Sequence, residues 1–458
     1  MKNIFLISFV AALVLVTLAC GTIAPTAAPT SNVEDVLATQ VAGTLTALAT
    51  VAPEPATAKP PEASPTSAPT PPPAPQPLRV AYVKDGNVWL WTDGFGAAQL
   101  TAIGSVQEVR LSDDGQVLAY VRESIPFEPE IYAINRDGSG DRLLVGAADF
   151  LATYSGDPAY APNGIGVYQM DWRPGSHELY YNTRPLFEGP GLGCYNDLRA
   201  VNADTLAQTV FFGRDEGGLF YFSPDGAQLA LVTPTSVSLA NADGSNLRRD
   251  VLTFDSVITY SEYLYYPHPV WATDSSGLRI AIPPADPMLS PLPPTSLWYL
   301  PIDGSPAIFS GTIQAMLFAW PDTAISPDLN RVGYARPFGS PSDNLRELHL
   351  ANADASGDTF FTSGEGVEFL GWLPDSTQFV FVMRGSDAMS GVHIGSLGSG
   401  YTTISSDPAM IRDIRWVDST RFIYLWHSGD NWELRTSVLG GGGMLLDSGQ
   451  IGSYDYSN

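Results

Sequence analysis

The 458-residue chain has only two cysteines, Cys20 and Cys194, and the first belongs to an N-terminal export segment treated below. No internal disulfide framework can be built from what remains. Basic charge is also scarce: 23 Lys and Arg stand against 48 Asp and Glu, a formal net charge of −25. Acidity of this size argues against nucleic acid as a partner and against electrostatic docking on anionic lipid. It reads as the solubilising surface of an exported protein. The familiar catalytic signatures are missing, with no G-x-S-x-G elbow, no Walker loop and no H-E-x-x-H. The five histidines are scattered, and no metal or cofactor is expected. Cys194 sits in a Gly-rich stretch with no His partner indicated, so it reads as a free thiol.

What is abundant is Gly, Pro, Tyr and Trp, as in an all-β protein with many turns. The stretch 218–252 shows the unit. Leu219–Phe222 reads as a strand, Ser223-Pro-Asp-Gly226 as a tight turn and Gln228–Val232 as a second strand. Val237–Asn241, an Asp243-Gly244 turn and Arg248–Leu252 complete a four-stranded meander. One meander cannot bury both its faces, so it needs copies beside it.

Those copies run through residues 79–458. Turns between first and second strands recur at Ser112–Gly115, Arg173–Ser176, Thr273–Gly277, Ser326–Asn330, Leu373–Ser376 and Val417–Thr420. Each follows a large apolar residue: Leu111, Trp172, Phe222, Trp271, Ile325, Trp372 and Trp416. One third-strand position reads Tyr132, Arg199, Ser238, Trp298, His349, His393 and Arg435. His349 and His393 are equivalent positions of adjacent repeats, which accounts for them without a metal. Asp137-Gly-Ser-Gly-Asp141 reads as a hairpin turn in preference to a calcium loop. Four-stranded repeats of this length predict an all-β fold, a β-propeller of four-stranded blades. Residues 79–103 supply the second to fourth strands of a blade and lack the first, whereas 450–458 match a first strand. The expectation is an eight-bladed ring closed by both termini. Seven blades with an appended hairpin is the alternative.

The Ser-Pro-Asp-Gly turns and the Trp or Phe before them resemble the TolB-type, WD40-like propeller repeats, which also occur in the propellers of prolyl-oligopeptidase-type peptidases. The resemblance spans the chain from about residue 79 onwards. It implies a fold and an interaction platform, not a chemistry. No hydrolase domain is recognisable after the repeats, so peptidase activity is not carried over.

The N-terminus MKNIFLISFVAALVLVTLAC has one Lys, an apolar run from Ile4 to Ala19, and then Cys20. It resembles a bacterial lipoprotein signal, matching at Ala19-Cys20-Gly21 and departing at Thr17 and Leu18. The resemblance implies that residues 1–20 are a signal segment and that Cys20 is lipidated, tethering the protein at the extracytoplasmic face of a cell membrane. An uncleaved anchor and ordinary cleavage are the alternatives. Residues 21–77 then form a linker. Val33, Leu37, Val41, Leu45 and Leu48 keep a helical stripe after a capping-box-like Ser31 to Glu34, and Ala52–Pro77 has a spacer composition.

Long insertions mark the expected site. In a four-stranded meander, second-to-third loops and inter-blade links share one face. They include 124–128, 185–196, 284–295 and 337–344, with links 147–166 and 254–269. These segments hold Phe150, Tyr154, Tyr160, Phe187, Tyr195, Tyr260, Tyr263, Tyr265, Tyr266 and His268, the candidate binding residues. The same rings could instead pack the loops as a lid. Glu128, Glu130, Asp157, Glu188 and Glu262 leave room for a glycosidase-like carboxylate pair. A further pattern, Arg415, Asp455, Arg110 and Asp171 before successive anchors, predicts alternating ion pairs around the closure. The expected role is an extracytoplasmic binding platform for a protein, peptide or glycan. An extracytoplasmic hydrolase and a structural component of an envelope assembly are the alternatives.

Overall fold

The computed structural model describes residues 76–156, 161–189, 193–315, 325–338, 344–385 and 390–458. The expected signal segment with Cys20, the expected linker up to residue 75, Asp157 and Tyr160 lie outside the described residues. No helix among the described residues is long and apolar enough to cross a membrane.

Strands form where apolar and β-branched runs are bounded by turn residues. In the third blade, Leu219–Phe222, Gln228–Val232, Ser236–Asn241 and Arg248–Thr253 pair antiparallel in chain order. The turn between the first two is built from its own side chains. Ser223 Oγ donates to Asp225 Oδ1 at 2.6 Å and accepts from Gln228 N at 2.9 Å, while Asp225 Oδ1 also accepts from Ala227 N at 3.0 Å. Gly226 supplies the left-handed residue, with φ 66°. These bonds hold the Asp225 carboxyl below its usual range. The same Ser–Asp pairing recurs at Ser112–Asp114 and Ser326–Asp328. Asp137 accepts from Ser139 N and Oγ in a hairpin turn repeated at Asp243–Ser245 and Asp354–Ser356.

Eight such sheets form the β-propeller, with blades at 106–145, 164–212, 219–253, 270–313, 325–365, 368–405 and 411–449, and a last one made from both ends of the region. In the blade at 325–365 the first strand is represented by Ile325, which bridges Val332. Fourth strands form the rim: Gly96–Gln99 is exposed throughout, whereas second strands such as Gln228–Val232 are buried almost end to end. First strands therefore lie innermost, around the central channel that propellers share.

Aromatic residues at or near the end of several first strands stitch neighbouring blades together. Trp172 Nε1 donates to Arg110 O at 3.3 Å and Trp271 Nε1 to Tyr221 O at 3.0 Å, each in the preceding inner strand. Tyr456 Oη donates to Trp416 O in the same way. Apolar clusters fill the gaps between sheets; one joins Ala81 and Val83 to Val109, Leu118 and Tyr120. The recurrent third-strand position stacks on a second-strand ring. Tyr132 lies 5.6 Å from Tyr120, and His349 lies 5.6 Å from Tyr334. His349 Nδ1 sits 3.0 Å from Asp358 Oδ1, and His393 Nδ1 sits 3.1 Å from Thr403 Oγ1. Each of these histidines is engaged within its own blade.

Closure takes place in the last blade, and the seven-bladed alternative is set aside. Ile451–Ser457 pairs antiparallel with Arg79–Lys84, in the register Arg79 to Ser457 and Ala81 to Asp455. The C-terminal strand is thus the innermost strand of a sheet whose other three come from residues 79–99. Tyr454 is fully buried in this seam and donates from Oη to Ile423 O at 3.1 Å in the preceding blade. Tyr454→Ala should cost about 3–5 kcal/mol, as for other large core truncations, and Tyr454→Phe about 1 kcal/mol. Urea unfolding checks this: the midpoint should fall in that order with an unchanged slope.

Candidate functional site

Antiparallel pairing sends alternate connections to opposite ends of every blade. First-to-second and third-to-fourth turns share one face, and these are short. The other face carries the second-to-third loops and the inter-blade links. Among them are 123–129, 187–197, 283–294 and 338–344, and the links 146–163 and 254–269.

These long segments are pinned by their own aromatic residues. The link after the first complete blade folds into a five-residue helix, Ala147–Leu151, in which Asp149 Oδ2 accepts from Gly146 N at 3.0 Å. Its Phe150 is buried and meets Tyr181 edge-on at 5.8 Å. Tyr154 packs against the same core. Tyr195 is buried under the guanidinium of Arg214, 4.2 Å from its ring centroid. Tyr265 and Tyr266 are buried as well. Tyr266 Oη donates to Asn196 Oδ1 at 3.2 Å, which ties link 254–269 to loop 187–197. His268 lies edge-on to Tyr221 at 4.7 Å where the link enters the next inner strand. Cys194 sits among these rings; burial pushes its thiol up to about 12, which leaves it protonated and a poor nucleophile at neutral pH.

Three of the expected residues point outward instead. Tyr260 is 63 % exposed, Tyr263 56 % and Phe187 38 %. The sequence pattern did not single out their exposed neighbours Ile258 and Leu264, or Met288 and Leu289 on the adjoining loop. Two hydrogen bonds fix link 254–269 against that loop: Ile258 N donates to Ala285 O at 2.8 Å, and Tyr260 Oη to Asp286 Oδ1 at 2.7 Å. The result is a contiguous apolar and aromatic patch. Phe338 and Ile125 are further exposed apolar residues on the same face. The available signal was an apolar pair inside a Pro-rich loop with no strand periodicity, as at Met288-Leu289.

Of the acidic residues considered for a carboxylate pair, Asp157 lies outside the described residues and Glu130 is already engaged. Glu130 is held by Arg122, with Arg122 Nη2 at 2.6 Å, beside the Tyr132 ring. Glu188 and Glu262 stand on separate exposed loops.

A different group of charges lines the inner strands at the seam. Arg415 pairs with Asp455 at 3.4 Å and with Asp413 at 3.1 Å. Asp455 Oδ2 also accepts from Leu111 N at 2.8 Å, crossing the closure. The expected alternation stops there. Arg110 pairs with Glu108 of its own strand at 2.7 Å and donates to Met170 O at 3.0 Å. Asp171 instead accepts from Trp172 N at 2.9 Å. The physical reason is reach: Arg110 is drawn to a carboxylate two residues away on the same strand and to an inner-strand carbonyl of the next blade. Asp171 has accessible surface but is walled by protein, as a side chain facing a narrow channel must be. Desolvation first, and then the nearby Asp455 charge, raise its carboxyl to about 7. Burial raises Asp455 too.

No family model and no curated protein matches the chain. Solved structures similar to it include an oligogalacturonate lyase in complex with manganese, at 15 % identity over 68 % of this chain and 83 % of that one, TM-score 0.42. TolB from Acinetobacter baumannii is similar at 14 % identity over 63 % of this chain and 64 % of that one, TM-score 0.32. A eukaryotic initiation factor is similar at 11 % identity over 84 % and 98 %, TM-score 0.49. Likeness of this order carries no substrate or partner across.

The raised Asp171 carboxyl has a measurable consequence. Protonated in the folded state up to about pH 7 but ionised above about pH 4 when unfolded, it makes stability fall as pH rises between those values. Asp171→Asn should therefore raise the thermal midpoint at pH 8 and change it little at pH 4. An equal shift at both pH values would count against the assignment.

Proposed function

We propose that this chain is a membrane-tethered, extracytoplasmic β-propeller that serves as a binding platform for a protein, peptide or glycan through its long-loop face. The observation that carries this reading is the exposed patch of Ile258, Tyr260, Tyr263, Leu264, Met288 and Leu289. Their neighbours in the same loops, Tyr195, Tyr265 and Tyr266, already hold those loops to the blades, so apart from the Tyr260 hydroxyl, which bonds Asp286, the outward side chains are not needed for packing. Leaving large apolar side chains in water is unfavourable, and contiguous exposed patches mark contact surfaces. Exposed Tyr rings with a polar tip suit such a contact. The tether rests on the lipoprotein-like Ala19-Cys20-Gly21, and the composition of 52–77 suits a spacer that gives the propeller reach.

Two measurements test this. Capture from envelope and culture fractions with the full chain as bait should yield a partner that Tyr260→Ser/Tyr263→Ser loses. Each such anchor is worth about 2 kcal/mol, so the double variant should bind at least about tenfold more weakly. Equal capture by both baits would remove the case for this face. In cells fed a labelled fatty acid, the chain should carry label and sediment with membranes. Cys20→Ser should abolish the label and release the protein.

A further inference from the structure

Resting on the reading of the long-loop face as the binding face, we infer that its partner is a cationic polypeptide segment in which Arg or Lys alternate with apolar side chains. Loops 187–197 and 283–294 and link 254–269 carry Glu188, Asp197, Asp255, Glu262 and Asp286, and contain no Lys or Arg. The hydrogen bonds from Ile258 to Ala285, Tyr260 to Asp286 and Tyr266 to Asn196 join their described residues.

The use made of these carboxylates separates them from those on the opposite face. There, Asp114, Asp225 and Asp328 each accept from the serine of their own turn, and Asp375 and Asp418 accept from Thr377 and Thr420. Those acids build the turns. Two acids of the long-loop surface are also committed: Asp197 is buried and bonded to Thr183 and Arg199, and Asp286 holds Tyr260. Glu188, Asp255 and Glu262 are exposed and make no hydrogen bond or ion pair among the described residues. Three uncommitted carboxylates thus share these joined loops with exposed Tyr260 and Tyr263, whose ring faces attract cations.

Among the described residues no arginine or lysine forms an ion pair with any of the three. Arg214 lies over Tyr195 and pairs with Asp215 at 3.6 Å, and Arg184 stands at the end of the strand Glu178–Leu186. A neutral glycan could use these carboxylates only as hydroxyl acceptors and would leave their charge unbalanced, and an acidic partner is repelled by them. A cationic segment meets the carboxylates with its charges and the Tyr, Leu, Ile and Met surface with its apolar side chains. The net charge of −25 would steer its approach, so binding should weaken with salt.

The test uses the full chain and three labelled peptides: an Arg-Leu-Tyr repeat, the same peptide with Gln for Arg, and the same with Glu for Arg. Fluorescence anisotropy should show the Arg peptide binding and the Glu peptide not binding. Glu188→Gln/Asp255→Asn/Glu262→Gln should weaken the Arg peptide at least about tenfold, as should raising salt from about 50 to about 300 mM, where screening becomes strong. Tyr260→Ser/Tyr263→Ser should weaken it too. Equal binding of the Gln and Arg peptides, or an unchanged affinity in the triple carboxylate variant, overturns the cationic partner. If Tyr260→Ser/Tyr263→Ser still weakens binding in that case, the face itself stands. Arg-peptide binding indifferent to the Tyr variant overturns both readings. A chain that binds none of the three peptides, or captures a glycan through Tyr260 and Tyr263, overturns the cationic partner alone.

Discussion

Everything in this molecule depends on the backbone pairing of Ile451–Ser457 with Arg79–Lys84. A propeller blade has one face turned to each neighbour, so an open ring would expose apolar sheet at its two ends, and a missing inner strand would leave an unpaired edge. Making one blade from both ends of the region removes these liabilities with a single strand. The seam is reinforced where it is weakest. Tyr454 is buried and reaches a carbonyl of the preceding blade, Tyr456 reaches another, and Asp455 accepts from Leu111 N in the blade that follows. Asp455 therefore has a structural use, although burial disfavours its charge. Its hydrogen bond to Leu111 and its pairing with Arg415 offset part of that cost.

The ring is otherwise held by repetition. At some blades an aromatic residue ending an inner strand donates to the preceding inner strand, as Trp172 and Trp271 do, and at others a Ser–Asp pair builds the turn after that strand, as at Ser112, Ser223 and Ser326. A serine of the next turn then reaches back to that turn's backbone, as Ser275 does to Asp225 N at 3.2 Å and Ser376 to Asp328 N at 3.0 Å. Each contact is worth only about 1 kcal/mol. Their value lies in recurring around the ring, so that neighbouring sheets fix one another.

A rigid ring with short turns on one face leaves the other free to vary. There the aromatic residues divide into two kinds that composition does not distinguish. Phe150, Tyr195, Tyr265 and Tyr266 are buried and give the loops their shape. Tyr260 and Tyr263, in the same link as two of them, face outward beside Met288 and Leu289. The polar tips follow this division. Tyr266 Oη bonds to a loop beneath it, whereas Tyr260 Oη bonds sideways to Asp286 and leaves its ring face open.

The architecture was written in the sequence because its signals are local. A Ser-Pro-Asp-Gly turn is specified by four adjacent residues, and the anchors Leu111, Trp172, Phe222, Trp271, Trp372 and Trp416 each end an inner strand where the repeat places them. Even the closing strand could be read, since 79–103 lacks what 450–458 supplies. The identity of the long-loop face was legible for the same reason: strand alternation alone decides which connections lie together. Three things were decided only by the tertiary structure. Which tyrosines are buried depends on whether a neighbouring loop covers them. Arg110 pairs directly with Glu108, two residues away on its own strand, and reaches Asp455 and Asp171 only through longer-range charge. Asp171 is raised to about 7 because the walls of the ring and the charge of Asp455, more than 280 residues away in the chain, close around it. Burial and electrostatic proximity are properties of what surrounds a residue, and no pattern in its own strand encodes them.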